Sequence, residues 1–462
     1  MSYLSPDRPL LVDDVLLQIF CFCDILSILV LSQSSHHFHD LAFSKQVWLT
    51  LLSDLHRRNF IDLLPEQHLN QLTSNELVDL AKRTVSGPRS WSCPAGPTIT
   101  HQVVFTSSIT NLEDPSNYYS NCGIRLLSGG QFVLFQHQAT LECLSINGGK
   151  HVWQYRGSWE DYEVRSFAAE VVDEGQAVII MVGVRISDQH RRNFVEILRL
   201  DLRMGSAKTL VLEPAPNTLD ESPFTGFKIC GDFAIANVQV ADYILMFRLS
   251  TGTSKRFKAL GLQEIDLIPG HLLVLTPNPT HVLATLELCV WSLDSLFEST
   301  VHNPLVTDIS SISTVTIDAP INCAARLTSL PSPIHNDSST LWICVKSTGR
   351  DQAGSLLHKY HISHAKGHPL SVELVATVKL DESHPTACYV RIPLNISYSG
   401  RAEFFNHSSQ QQRSFSFTSP DDDIPLDLPG CGYYIHMSSY SGALTYVTEH
   451  VWDERIYVNY YE

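Results

Sequence analysis

From about Thr98 to Glu462 the chain alternates short apolar runs with turn residues and never settles into a long helical period. That single feature narrows the fold more than any other. Gln131–Phe135, Ala177–Val184, Phe233–Val240, Tyr243–Leu249, His271–Thr276 and Leu341–Val345 are rich in Val, Ile, Leu and Phe, residues that suit a pleated, packed surface. A helix-free stretch of this length exceeds one β-sandwich, which usually ends near roughly 100 residues.

A phrase recurs within it: a strand ending in an aliphatic residue, a polar residue, a turn and another strand. It occurs at Leu144–Trp153, Leu200–Gly205 and Phe247–Thr253, with a relative lacking glycine at Val290–Asp294. Each reads as the hairpin between the two outermost strands of a blade, where glycine takes the positive φ of a tight turn. Phrases roughly forty to sixty residues apart match one four-stranded blade with its loops. The expectation is a degenerate β-propeller of about seven blades; an array of β-sandwiches would show similar hairpins. The closing segments Tyr440–Val447 and Ile456–Tyr461 read as a final hairpin that completes a blade with strands from near the start of the β region.

The N-terminal segment follows another rule. From Asp13 to about Leu55 glycine is absent and apolar residues recur at helical spacing. Val15, Leu16, Ile19, Phe20 and Cys23 form one broad stripe, with Asp13 or Asp14 expected to cap the helix. Further short helices are expected at Leu26–Ser32, Ser35–Phe43 and around Val47–Leu55, and weaker helical character runs from Asn75 to Arg83. Four short helices enclose too little core to bury all this apolar surface. The fold class is therefore α+β and multidomain: a helical module over 1–60, a helical and irregular linker over 61–97 and a β domain over 98–462.

Composition removes several functions. A net charge of −16 without a Lys/Arg stripe argues against nucleic acid and anionic membrane as partners. The apolar segment Val15–Leu31 follows Asp13–Asp14 and is interrupted by Gln18 and Asp24, so it reads as packed helices and not as a signal peptide. The three sequons at Asn336, Asn395 and Asn406 then carry no weight. Eleven scattered cysteines without a CxxC pair point to reduced thiols in cytoplasm or nucleus.

No catalytic residue, metal ligand or cofactor site is expected. His36, His37 and His39 have helical spacing, but only Asp40 lies nearby to complete a metal site. Gly148–Gly149–Lys150 lacks the upstream glycine and the following Ser/Thr of a phosphate loop, and neither G-x-S-x-G nor HExxH occurs. Asp421–Asp423, beside Ser419–Pro420, reads as a solvated loop or as an acidic lip favouring a basic protein segment.

Asp13–Phe20, then Asp24–Ile25, then Leu31–Leu41, then Val47–Leu52 together resemble the F-box family, especially its fungal form with a C-terminal propeller-like domain. The family's early Leu-Pro pair aligns with Leu11–Val12, and the proline expected after Asp24–Ile25 is replaced by Leu26. The resemblance implies docking to a Skp-type adaptor and through it to a cullin scaffold, with an unknown protein substrate held by the β domain. By matched position it implies that Leu11, Leu16, Ile19 and Leu29 face the adaptor, with Val15, Phe20, Leu31, Phe38 and Trp48 as module core. The function expected is a non-enzymatic substrate adaptor of an SCF-type ubiquitin ligase; the alternatives are a scaffold not serving degradation and a propeller enzyme or glycan-binding propeller.

Overall fold

The computed structural model describes residues 11–93, 96–106, 123–137, 140–157, 159, 161–186, 192–216, 223–238, 243–258, 264–277, 285–299, 309–319, 323–347, 355–365, 369–380, 396–406, 411–416, 424–426, 428, 431–448 and 455–462. The chain begins with five helices: α1 (Asp13–Phe20), α2 (Ile25–Ser32), α3 (His36–Ala42), α4 (Lys45–Arg57) and α5 (Ser74–Ser86). Local chemistry sets their starts. The Asp24 carboxylate accepts from Ser27 N at 2.7 Å, and the Ser35 hydroxyl from Phe38 N at 3.1 Å. A reciprocal Thr73/Glu76 capping box opens α5. The expected cap on α1 is corrected: Val12 is the flanking residue, and Asp13 and Asp14 lie inside the first turn, where they meet the positive end of the helix dipole. Ile28, Val47, Trp48, Leu52, Leu55, Leu77 and Leu80 form one core, so α5 packs with the preceding helices.

Behind the helices stands a ring of seven sheets, six with four strands and one with three among the described residues. Blade 1 holds β2 (Gly123–Leu126), β3 (Phe132–His137), β4 (Thr140–Ser145) and β5 (His151–Gln154). Blade 2 holds β6 (Tyr162–Val172), β7 (Ala177–Ile186), β8 (Asn193–Asp201) and β9 (Ser206–Ala215). In blade 3 these places belong to β10 (Phe224–Cys230), β11 (Phe233–Val238), β12 (Tyr243–Arg248) and β13 (Thr253–Lys258). Blade 4 has β14 (Glu264–Ile268), β15 (His271–Pro277), β16 (Thr285–Ser292) and β17 (Ser313–Asp318). Blade 5 has β18 (Cys323–Pro331), β19 (Ser338–Ser347), β20 (Ser355–Ser363) and β21 (Ser371–Leu380). Blade 6 is the three-stranded one, with β22 (Arg401–Asn406), β23 (Gln411–Ser416) and β24 (Ile424–Leu426). Blade 7 orders β25 (Cys431–Met437), β26 (Leu444–Thr448) and β27 (Arg455–Tyr461) and takes its outermost strand, β1 (Ile99–Thr106), from the front of the domain.

The propeller expected from the strand pattern is therefore present, and so is its closure. β1 lies antiparallel to β27, with Val103 opposite Val458 and Phe105 opposite Ile456. Three of the recurring phrases span the turns between the outer strands of blades 1, 2 and 3, where Gly148, Gly205 and Gly252 take φ of 74°, 65° and 64°. The phrase without glycine does something else: after Ser292 the chain forms α6 (Leu293–Glu298), capped by the Ser292 hydroxyl, before β17.

Five of the apolar runs named above map to second strands, β3, β7, β11, β15 and β19, and the sixth is the third strand β12. These strands are covered on both faces by neighbouring blades, so their apolar residues run on without strict alternation; all ten residues of β7 are buried. Inner strands are stitched between blades by polar contacts. Lys228 Nζ lies 3.2 Å from the buried Asp266 carboxylate, which also accepts from Ser329 N at 2.6 Å, and Gln136 Nε2 donates to Val164 O at 2.8 Å.

Removing Arg455–Glu462 takes out the strand between β26 and β1 together with buried Ile456, Val458, Tyr460 and Tyr461. Differential scanning fluorimetry is expected to show a melting temperature lower by roughly 10 °C or more; an unchanged melt would contradict the closure.

Candidate partner-docking site

The two faces of α1 have different fates. Leu16 and Phe20, one turn apart, point inward, where Phe20 meets Phe38 edge-on at 6.0 Å between ring centroids. Val12, Val15, Ile19 and Phe22 follow a 3-4-3 spacing along the other side and are exposed, Phe22 to 92%. α2 repeats the arrangement: Ile25 and Ile28 are buried, whereas Leu26, Leu29 and Val30 are exposed. A short helix apolar all round is one that expects cover on both sides. Among the described residues only one side of α1 and α2 receives it.

Of the four residues expected to face an adaptor, Leu11, Ile19 and Leu29 stand on the surface, while Leu16 is 7% exposed and faces inward. Val15 is the reverse case: expected in the core, it is exposed. The broad stripe read from the sequence joined two faces, because adjacent residues on a helix lie about 100° apart and a run such as Val15–Leu16 straddles the boundary. Phe20 and Trp48 are buried as expected, and Leu31 and Phe38 pack half-buried against the same core. Phe22, Leu26 and Val30 were missed; the 15/19/22 spacing was the available signal.

The expected non-sites are placed as follows. His36, His37 and His39 lie exposed on α3, where His37 Nε2 is 3.1 Å from Asp13 Oδ1. Gly148–Gly149–Lys150 forms the outer turn of blade 1, with Trp153 packed into the core between blades 1 and 2. Among the described residues no three His, Cys, Asp or Glu side chains gather around a common metal position. Asp421–Asp423 lie outside the described residues. No described helix is long and apolar enough to cross a membrane.

A second constellation, not foreseen from sequence, fixes the helical module on the ring. The segment Arg58–Leu64 runs over the ends of inner strands from four blades. Arg58 Nη2 donates to Ser332 O at 3.1 Å after β18, and Asn59 Nδ2 to Val171 O at 3.0 Å in β6. Asp62 is buried and accepts from Gly129 N at 2.8 Å, from Ser441 Oγ at 2.6 Å and from Ser438 Oγ. Burial pushes the Asp62 carboxyl up from its ordinary range, opposed by these three hydrogen bonds. Gly130 is obligatory beside it: its φ is +71°, and a Cβ there would stand 2.9 Å from Leu63 O. Blades 2 and 5 lie across the ring from one another, so this segment covers the mouth of the central channel on the side of the first-to-second-strand turns. The opposite rim carries the second-to-third-strand turns and the blade-to-blade connections.

Residues 9–50 match the family model of the F-box domain. No curated protein matches the chain. Solved structures similar to it include the β-propeller domain of Cps50 (Swd1) from Myceliophteria thermophila, at 11% identity and a TM-score of 0.45, covering 75% of this chain and 99% of that one. The WD40 domain of SCAP from fission yeast is similar at 9% identity and a TM-score of 0.37, covering 74% of this chain and 84% of that one. The propeller rests on the strand order above and not on these likenesses.

Truncating inward side chains and outward ones separates core from surface. Phe20→Ala is expected to cost about 3–5 kcal/mol in urea unfolding, whereas Ile19→Ser and Leu29→Ser stay within about 0.5 kcal/mol. Equal losses at both kinds of site would contradict the two-faced reading of α1 and α2.

Proposed function

We propose that this chain, which carries an F-box domain ahead of a seven-bladed propeller, is the substrate-recognition subunit of an SCF-type ubiquitin ligase. The observation that carries the reading is the exposed apolar surface inside the matched segment: Val15 and Ile19 on α1, Leu11, Val12 and Phe22 just outside its ends, and Leu26, Leu29 and Val30 on α2. Helices of this kind dock by laying an apolar face against a partner's groove, with aromatic anchors supplying much of the energy. The partner is a Skp-type adaptor, and through it a cullin scaffold. Phe22 is the largest exposed side chain on these faces and serves as the central anchor.

The propeller holds a protein substrate at the rim away from the helices, since the other rim lies under the module. The chain itself carries out no bond chemistry; its contribution is proximity, keeping a bound substrate within reach of a conjugating enzyme and so replacing a dilute encounter by a local one. The acidic run Asp421–Asp423 in the sequence and a net charge of −16 favour a basic substrate segment.

The test is co-purification of the full chain with a recombinant Skp-type adaptor, alongside Phe22→Asp and Ile19→Asp. Both positions are exposed, so the variants are expected to melt as the wild type does while binding falls at least roughly 100-fold, as for charge placed in a desolvated interface. Failure of the folded wild-type chain to bind the adaptor would sink the proposal. Leu16 is the wrong position for this test, because a charge there acts on the core.

A further inference from the structure

Blade 6 has three described strands, and Ile396 bridges Ala402 just ahead of them. Where blades 6 and 7 meet, the helical module's exit segment packs against both. After α5 the chain turns at Gly87 and Pro88 into a 3-10 turn, Arg89–Ser92, and Trp91 enters the ring. Trp91 is 1% exposed and packs with Leu426 and Leu428 of the blade 6 side and with Met437, Leu444, Tyr446 and Tyr461 of blade 7. Its ring meets Tyr461 edge-on at 5.2 Å, and the Arg401 guanidinium at the start of blade 6 lies over it at 5.8 Å. Backbone and side chain seal the position: Ser90 N donates to Glu462 O at 2.9 Å, and Arg401 Nη2 to Ser92 Oγ at 2.7 Å.

Close approach on both sides confirms that the fit is tight. A Cβ on Gly442 of blade 7, at φ +69°, would lie 2.7 Å from Pro88 Cδ, and one on Gly87 would lie 2.7 Å from Ser399 Oγ. The entry segment contributes the second attachment, through Asp62 at blades 1 and 7, Phe60 edge-on to Tyr440 at 4.7 Å, and Tyr440 Oη donating to Pro331 O at 2.9 Å.

We infer that residues 58–64 and 87–92 are two straps that bind the helical module to the ring, so that the two form one folding unit and the module's apolar faces are held at one orientation to the opposite rim. A tether would leave the module to swing; these straps place Asp62 and Trp91 as positioning residues, each in a setting that only the other unit completes. The inference rests on the packing alone and is independent of the ligase reading.

The decisive experiment is to insert a protease site between Pro94 and Ala95, cut the folded full-length chain and pass it through gel filtration. The N-terminal fragment is expected to remain with the ring without a covalent link and to separate from it in the Asp62→Ala/Trp91→Ala double variant. In the uncut chain one thermal transition is expected, lowered by roughly 5 °C or more by Trp91→Ala. Spontaneous separation of the cut wild-type fragments, or a ring transition unmoved by Trp91→Ala, would overturn the inference. Should the double variant fail to fold, the cut wild-type chain still decides the matter.

Discussion

The antiparallel pairing of Ile99–Thr106 with Arg455–Tyr461 is the interaction on which the remaining architecture depends. Every other blade is built from consecutive strands and closes on itself by local hairpins. Blade 7 alone joins residues more than 350 positions apart, as when the Gln102 Nε2 donates to the Asn459 Oδ1 at 2.9 Å. Without this pairing the first and last blades would present open edges, and the inner faces of blades 1 and 7, with Val133, Phe135, Ile456 and Val458, would lose their common core. Because β1 directly follows the helical module, the same closure brings that module onto the ring.

Once the ring is closed, its first-to-second-strand turns gather at one rim, and their polar groups require partners. Asp62 meets part of that need by taking one amide and two hydroxyls from two different blades. A buried carboxylate is stable only when its hydrogen-bonding capacity is filled, and here the donors are supplied by turns from blades 1 and 7 that the ring has already fixed. Trp91 does the corresponding apolar work between blades 6 and 7. Module and ring therefore share both a polar hub and a core. The apolar residues Val15 and Ile19 of α1 and Leu26, Leu29 and Val30 of α2, by contrast, stay exposed among the described elements.

Much of the β domain could be read from residue pattern. Runs such as Ala177–Val184 are apolar without alternation because sheets cover both of their faces, and the turn glycines at 205 and 252 occupy the positive φ that the reading required. In the helical module the number and order of helices were legible, but the division of α1 into an inner and an outer face was not. Val15 and Leu16 are equally apolar, and their fates depend on which side of the helix the other helices occupy.

The sequence by itself determined the class of each element, the repeat of strands and turns, and the identity of the N-terminal helices, because these follow from local periodicity, capping and turn chemistry. Tertiary structure alone decided the surroundings of Asp62 and Trp91. Asp62 sits in the short run Phe60–Leu64 as an unremarkable acid, and Trp91 lies in a Pro/Gly-rich stretch that reads as linker. Their meaning comes from groups far along the chain, Ser438, Ser441, Leu426 and Tyr461, and long-range complementarity of that kind leaves no periodic trace in a single sequence.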